Sequence, residues 1–184
     1  MKTLILFTIS LTLAWASNAQ TAEMAELKSV LESQKAYSVA GNDSYTDNDS
    51  LEIKFNGCGA EYSYRYTDLL YMIDQLIVNQ KSVYQFQWKD VVALETDFNG
   101  GKINLSCATE SIKYLARDYG TTEWRDNNYK GFALLFNMGA NNGPQKSADM
   151  NRAVTLIKAI VKSCGGGEVK VSDWLDRLKH NYED

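Results

Sequence analysis

Leu51-Glu52-Ile53-Lys54-Phe55-Asn56-Gly57-Cys58-Gly59-Ala60-Glu61-Tyr62-Ser63-Tyr64-Arg65-Tyr66 is the stretch that decides the fold. Leu51, Ile53 and Phe55 alternate with charged residues, as a half-buried strand requires. Gly57-Cys58-Gly59 supplies a turn. Tyr62, Tyr64 and Tyr66 then alternate with Ser63 and Arg65. The whole stretch predicts a β-hairpin.

Period two continues outward from it. Val83-Tyr84-Gln85-Phe86-Gln87-Trp88 aligns Tyr84, Phe86 and Trp88 on one face. Residues 91–96 and 102–107 predict two strands across Asn99-Gly100-Gly101, where Asn and Gly tolerate positive φ. Residues 69–78 fit either a helical stripe (Leu69, Met72, Ile73, Leu76, Ile77) or an irregular strand. Residues 109–129 are polar and read as a hairpin arm or an exposed excursion. Gly131 to Met138 is a continuous apolar run and predicts a well-buried strand.

Helical signals flank this β-rich centre. Ala22, Ala25, Leu27, Val30 and Leu31 predict an N-terminal helix over 21–37, followed by an Asn/Asp/Ser-rich loop over 41–50. After Pro144, the only proline, Ser147 or Asp149 can cap a helix running to about 163. Its apolar stripe is Met150, Ala153, Val154, Ile157, Ile160 and Val161. Gly165 stops it. Trp174, Leu175 and Leu178 predict a last helix over 172–182, beginning at Ser172. The expected fold class is α+β: antiparallel strands forming a barrel or sandwich, closed by a C-terminal helix, with an extra N-terminal helix.

The first nineteen residues set the compartment. Lys2 precedes an apolar run from Leu4 to Ala16, and Ser17-Asn18-Ala19 places small residues before Gln20. This is the pattern of a secretory signal peptide over 1–19. The run is shorter than the roughly 20 residues a membrane span needs. Export to the periplasm or beyond is the expectation. The remaining organisation reads as a helix and loop over 20–50, a domain over 51–166 and a helical tail over 167–184.

Composition narrows the function. The chain of 184 residues is 45% hydrophobic, as an ordinary globular protein is. Its formal charge is −4, and the leader takes away Lys2 and no acid, so the mature chain is more acidic still. That balance disfavours nucleic acid, which demands a basic footprint. One histidine, His180, leaves Ser-His and Cys-His pairs and His-rich metal sites without their parts. No motif calls for a catalytic residue, a metal or a cofactor.

Three cysteines, Cys58, Cys107 and Cys164, are too far apart for a C-x-x-C motif. In an oxidising compartment two of them tend to close. Cys107 shares the apolar side of its strand with Ile103 and Leu105, so it reads as a buried thiol. Cys58 and Cys164 sit at flexible element ends, and a Cys58–Cys164 bridge is the expectation; three free thiols is the alternative.

Few candidate sites emerge. Tyr62, Tyr64, Tyr66, Tyr84, Phe86 and Trp88 make either an exposed stacking platform for a sugar, peptide or protein, or the inward faces of two strands. The alternation favours the second reading; of the rows, Tyr62, Tyr64, Tyr66, Tyr84 and Trp88 are the candidate binding residues. Asp43, Asp47, Asp49 and Glu52 lack the spacing of a calcium loop. Glu95/Asp97 and Glu123/Asp126 are carboxylate pairs that acid–base chemistry would need. Gly165-Gly166-Gly167 follows a helix and has no Lys-Ser/Thr after it, unlike a phosphate loop.

The segments Asn151-Arg152-Ala153 to Ile157-Lys158-Ala159-Ile160, Cys164-Gly165-Gly166 and Gln87-Trp88-Lys89-Asp90-Val91 resemble small exported bacterial proteins of uncharacterised function with a pleckstrin-homology-like (PH-like) domain. The likeness spans roughly residues 51–166 and implies a PH-like barrel closed by a helix. Cytosolic members of that fold hold phosphoinositides in a basic pocket between early strands; here that region offers Lys54 and Arg65. The function that fits is non-catalytic binding of a protein or peptide. The alternatives are a carrier of a hydrophobic ligand and a carboxylate-based hydrolase.

Overall fold

The computed structural model describes residues 22–34, 38–41, 44–47, 51–70, 75–118, 122–136 and 143–175. The leader, His180, residues 42–43 and 48–50 of the expected loop and the distal part of the expected last helix lie outside them; residues 41 and 44–47 of that loop are strand instead. In chain order the elements are α1 over 22–32, β1 (Ser38–Gly41), β2 (Ser44–Asp47), β3 (Glu52–Asn56), β4 (Gly59–Leu70), β5 (Gln75–Gln87), β6 (Val91–Asp97) and β7 (Lys102–Cys107). Then come β8 (Ile112–Asp118), β9 (Arg125–Tyr129), β10 (Gly131–Leu135), α2 (Gly143–Ser163) and β11 (Lys170–Asp173). Among the described residues the protein is therefore α+β, with the helices α1 and α2, two larger sheets whose pairing is mostly antiparallel, and a separate two-stranded antiparallel pair, β1 with β2.

The β3–β4 hairpin forms as its alternation demands. Ile53 opposes Tyr62 and Phe55 opposes Ala60 across the turn. Gly57 takes φ of 58°, a conformation that costs glycine little. β4 and β5 pair from Gly59–Gln87 to Leu70–Gln75, with a register shift at Asp68/Leu69. The stretch 69–78 is thus strand on both sides of 71–74, and the helical reading does not hold for its described residues. β5 continues to β8, and β8 to β9, giving the order β3-β4-β5-β8-β9. The polar 109–129 segment contributes the β8–β9 hairpin arm.

The chain changes sheet at the short 3₁₀ turn Trp88–Asp90. The second sheet has the order β10-β7-β6-β11. At its central turn Asp97 Oδ1 accepts the Gly100 N–H at 2.7 Å, and Gly101 takes φ of 60°. Neither sheet closes into a barrel: β3 and β9 end one, β10 and β11 the other. β10 shows an alternating burial pattern with Phe132 and Leu134 inward. It is a half-buried edge strand, and its continuous apolar run overstates its burial.

Between the sheets lies one core. Trp88, Tyr62, Leu94, Ile103, Leu105, Ile112 and Leu134 are fully enclosed. Met24, Leu27 and Leu31 of α1 join it, as do Met150, Ala153, Leu156, Ile157, Ile160 and Val161 of α2. The stripe of α1 therefore runs through Met24 rather than through the exposed Ala22 and Ala25. Leu156 belongs to the α2 stripe, while Val154 lies at its half-buried margin. α2 starts at Gly143, with Pro144 in its first turn, where a missing N–H costs nothing. Ser147 and Asp149 consequently lie inside the helix. Asp149 instead accepts from Gln34 (3.1 Å) and Gln145 (2.8 Å).

The C-terminal segment departs in part from its expected reading: a strand comes first, and helix begins at Trp174 rather than at Ser172. Lys170–Asp173 is a strand, β11, paired in parallel with β6 from Lys170–Ala93 to Asp173–Thr96. Ser172 is therefore a strand residue whose carbonyl accepts from Thr96 Oγ1 at 3.3 Å. The capping role falls to Asp173, whose Oδ1 accepts the Leu175 N–H at 2.9 Å.

Candidate functional site

α2 ends in a Schellman turn. The Gly166 N–H bonds the Val161 carbonyl at 2.9 Å and the Gly165 N–H bonds that of Lys162 at 3.1 Å. Gly165 takes φ of 81° to make this possible. Cys164, in the same turn, stands at disulfide distance from Cys58, with Cα atoms 5.6 Å apart. The Trp88 N–H in turn bonds the Cys58 carbonyl at 3.0 Å. Hairpin turn, sheet crossover and helix end are so tied at one point. Cys107 is the free cysteine and is buried, which pushes its thiol up from the ordinary range.

Beside this junction runs a groove of about 480 Å³. Its walls are Lys158 and Lys162 of α2 and the extended segment Gly166, Gly167, Glu168 and Val169. That segment leads directly into β11, the end strand of its sheet among the described residues. Val171 (45% exposed) and Leu175 (44%) are two of the few large apolar side chains left in solvent. Val169, between groove and strand, is buried and anchors the segment. Lys158, Lys162 and Lys170 are exposed. The place combines an open strand edge, two apolar side chains and three ammonium groups in a chain that is acidic overall. The signal for β11 is present in Val169-Lys170-Val171-Ser172, which alternates with period two; the helix expected from Ser172 begins only at Trp174 and Leu175.

The aromatic rows divide. Tyr62 and Trp88 are fully enclosed. The Leu135 N–H donates to the Tyr62 hydroxyl at 3.1 Å, and Phe132 packs on the Tyr62 ring at 5.6 Å. Phe55 stacks on Trp88 and Phe86 meets it edge-on. The ring faces of Tyr62 and Trp88 are taken up by the core, so neither offers a stacking surface. Buried Trp88 Nε1 finds no hydrogen-bond partner among the described residues. Tyr64 and Tyr84 are half-buried, share a side-chain hydrogen bond and stack at 6.2 Å. The Tyr66 side chain lies outside the described residues.

Two tyrosines that the strand alternation does not single out extend this row. Tyr84 packs on Tyr114 at 4.9 Å, and Tyr114 on Tyr129 at 5.3 Å. Ser82 Oγ lies 3.3 Å from the Tyr114 hydroxyl. A ladder of phenols therefore crosses β4, β5, β8 and β9, from the core to the 42% exposed Tyr129. Burial holds the hydroxyls of Tyr62, Tyr64 and Tyr84 above the ordinary phenol range, where they act as neutral hydrogen-bonding groups.

A second groove, about 530 Å³, lies over Lys54, Asn56, Gly59, Glu61, Gln85 and Gln87. Lys54 faces Glu52 at 3.0 Å and Gln85 Nε2 donates to Glu61 at 3.0 Å. One member of each carboxylate pair does other work. Asp97 builds its turn, and Asp126 faces Lys113 at 4.0 Å. No helix among the described residues is long and apolar enough to cross a membrane. No group of three or more metal-ligating side chains occurs among the described residues.

No protein-family model matches the chain, and neither curated proteins nor solved structures provide a significant match.

Proposed function

We propose that this chain is an exported, non-catalytic binding module that takes an extended segment of a protein or peptide partner in the envelope. The observation that carries the proposal is the continuity of the α2 groove with the open edge of β11. An added strand satisfies main-chain donors and acceptors along such an edge, while flanking pockets read its side chains. Lys158 and Lys162 outnumber Glu168 on the groove wall, and Lys170 follows on β11, which favours a segment bearing acidic side chains. The disulfide-distance pair Cys58–Cys164 is compatible with an oxidising compartment and fixes the helix end that walls the groove.

Strands leading to a helix that packs over them is also a PH-like order, and kinship with that fold is part of the proposal. A hydrophobic-ligand carrier fits less well, because Trp88, Tyr62, Phe86 and Phe132 fill the space between the sheets. A carboxylate hydrolase fits less well, because Asp97 and Asp126 are engaged in a turn and an ion pair.

Crosslinking affinity capture from the envelope fraction tests the proposal. Wild type is expected to retain a partner that Val171→Glu and the double variant Lys158→Glu/Lys162→Glu lose. Equal capture by all three, or no capture by wild type under crosslinking, overturns it.

A further inference from the structure

β9 is an unusual strand. All five of its residues, Arg125 to Tyr129, are exposed, so burial on neither face explains why it forms. It ends its sheet among the described residues, paired on one side only, with β8. Trp124 (43% exposed) and Tyr129 (42%) flank it. The Trp124 ring is held under the Arg117 guanidinium, 4.8 Å from its centroid, and Tyr129 rests edge-on against Tyr114. Both rings are thus positioned and still accessible. Charges on an edge strand normally repel arbitrary neighbours. Here they are arranged so that one neighbour matches.

We infer that β9 pairs antiparallel with β9 of a second copy, joining the two five-stranded sheets across a two-fold axis. A two-fold axis that continues a sheet keeps its faces, so opposed residues must lie on the same face of their strands. Only registers centred on a residue satisfy this. The register of full overlap is centred on Asn127, the middle of β9. It sets Asn127 opposite its own copy, Asp126 opposite Asn128 of the second copy, and Arg125 opposite Tyr129 of the second copy. Like charges never meet, and each guanidinium finds a phenol ring. Trp124 comes opposite Lys130 in the same way. Shifting the centre to Asp126 sets two carboxylates against each other. Shifting it to Asn128 removes Arg125 and Trp124 from the pairing. The ion pairs Arg125–Asp118 (2.9 Å) and Lys113–Asp126 (4.0 Å) do not oppose this, because all four side chains are more than half exposed and such surface pairs are weak.

One strand pair buries less than the roughly 1,600 Å² of a standard stable interface, so the dimer is weak and concentration-dependent. This surface is separate from the α2–β11 groove, on a different sheet. Sedimentation of the purified chain between about 5 and 500 µM, a range chosen for a weak complex, is expected to show the mass moving from one chain toward two. Asn127→Asp, which places two carboxylates together, is expected to weaken association about fivefold. Mild oxidation of Asn127→Cys is expected to give a covalent dimer. Arg125→Cys alone is expected to stay uncrosslinked, because its own copy lies about 14 Å away along the strands, beyond disulfide reach. Mixed with Tyr129→Cys it is expected to crosslink. A monomer throughout the range overturns the inference, as does Arg125→Cys crosslinking to itself as readily as Asn127→Cys.

Discussion

Replacing both Cys58 and Cys164 by serine should cost more than any surface change in this molecule. The two cysteines are 106 positions apart. In the loop-entropy treatment, closing a loop of that length lowers the entropy of the unfolded chain enough to contribute about 4.8 kcal/mol at 25 °C. Typical domains have only about 5–15 kcal/mol in total. For a chain of this size the corresponding fall in Tm is about 10–20 °C. The structure adds a local consequence. The bridge holds the Schellman turn of α2 against the β3–β4 turn, whose Cys58 carbonyl accepts the Trp88 N–H. Without it, that junction is expected to open before the sheets do. The assay is calorimetric unfolding of wild type and the double variant, each with and without a phosphine reductant. Reduced wild type is expected to match the double variant, and the reductant to leave the double variant unchanged. Denatured, unreduced wild type is expected to release one thiol, from Cys107. A double variant melting within about 3 °C of wild type would refute the reasoning, since a closure this long has to register in Tm.

Alkaline pH offers a further test. Tyr62, Tyr64 and Tyr84 have phenols raised above their ordinary value by burial. A group whose folded pKa is raised adds stability that is complete below its unfolded pKa, about 10 for tyrosine, and is lost as pH climbs past it. Ultraviolet titration is expected to leave these three phenols protonated at pH 10, with unfolding following at higher pH. Ionisation of every tyrosine near 10 in a chain that keeps its native circular dichroism counts against the buried ladder.

Much of the fold is legible in the sequence because burial on one face writes itself as alternation. β3, β4 and β7 follow from Ile53/Phe55, Tyr62/Tyr64 and Ile103/Leu105/Cys107 directly. The Cys58–Cys164 pairing follows from the same logic, since a cysteine in register with the core is unavailable to a partner. The failures have equally local causes. β9 has no alternation to read, because it is exposed on both faces. β11 carries its pattern over only four residues and is held by long-range parallel pairing to β6, which no local window contains. The aromatic rows were ambiguous because a tyrosine satisfies either reading. Tyr62 is core because the Leu135 N–H meets its hydroxyl, a contact 73 residues distant.

Site-specific photo-crosslinking probes partner binding at the β11 edge. A benzophenone amino acid placed at Val171, on the open strand edge, is compared in the native host with one at exposed Thr109. A discrete protein adduct is expected from position 171 that disappears in the Lys158→Glu/Lys162→Glu background, and none from position 109. Adducts of equal yield from both positions, or none from 171, would contradict it.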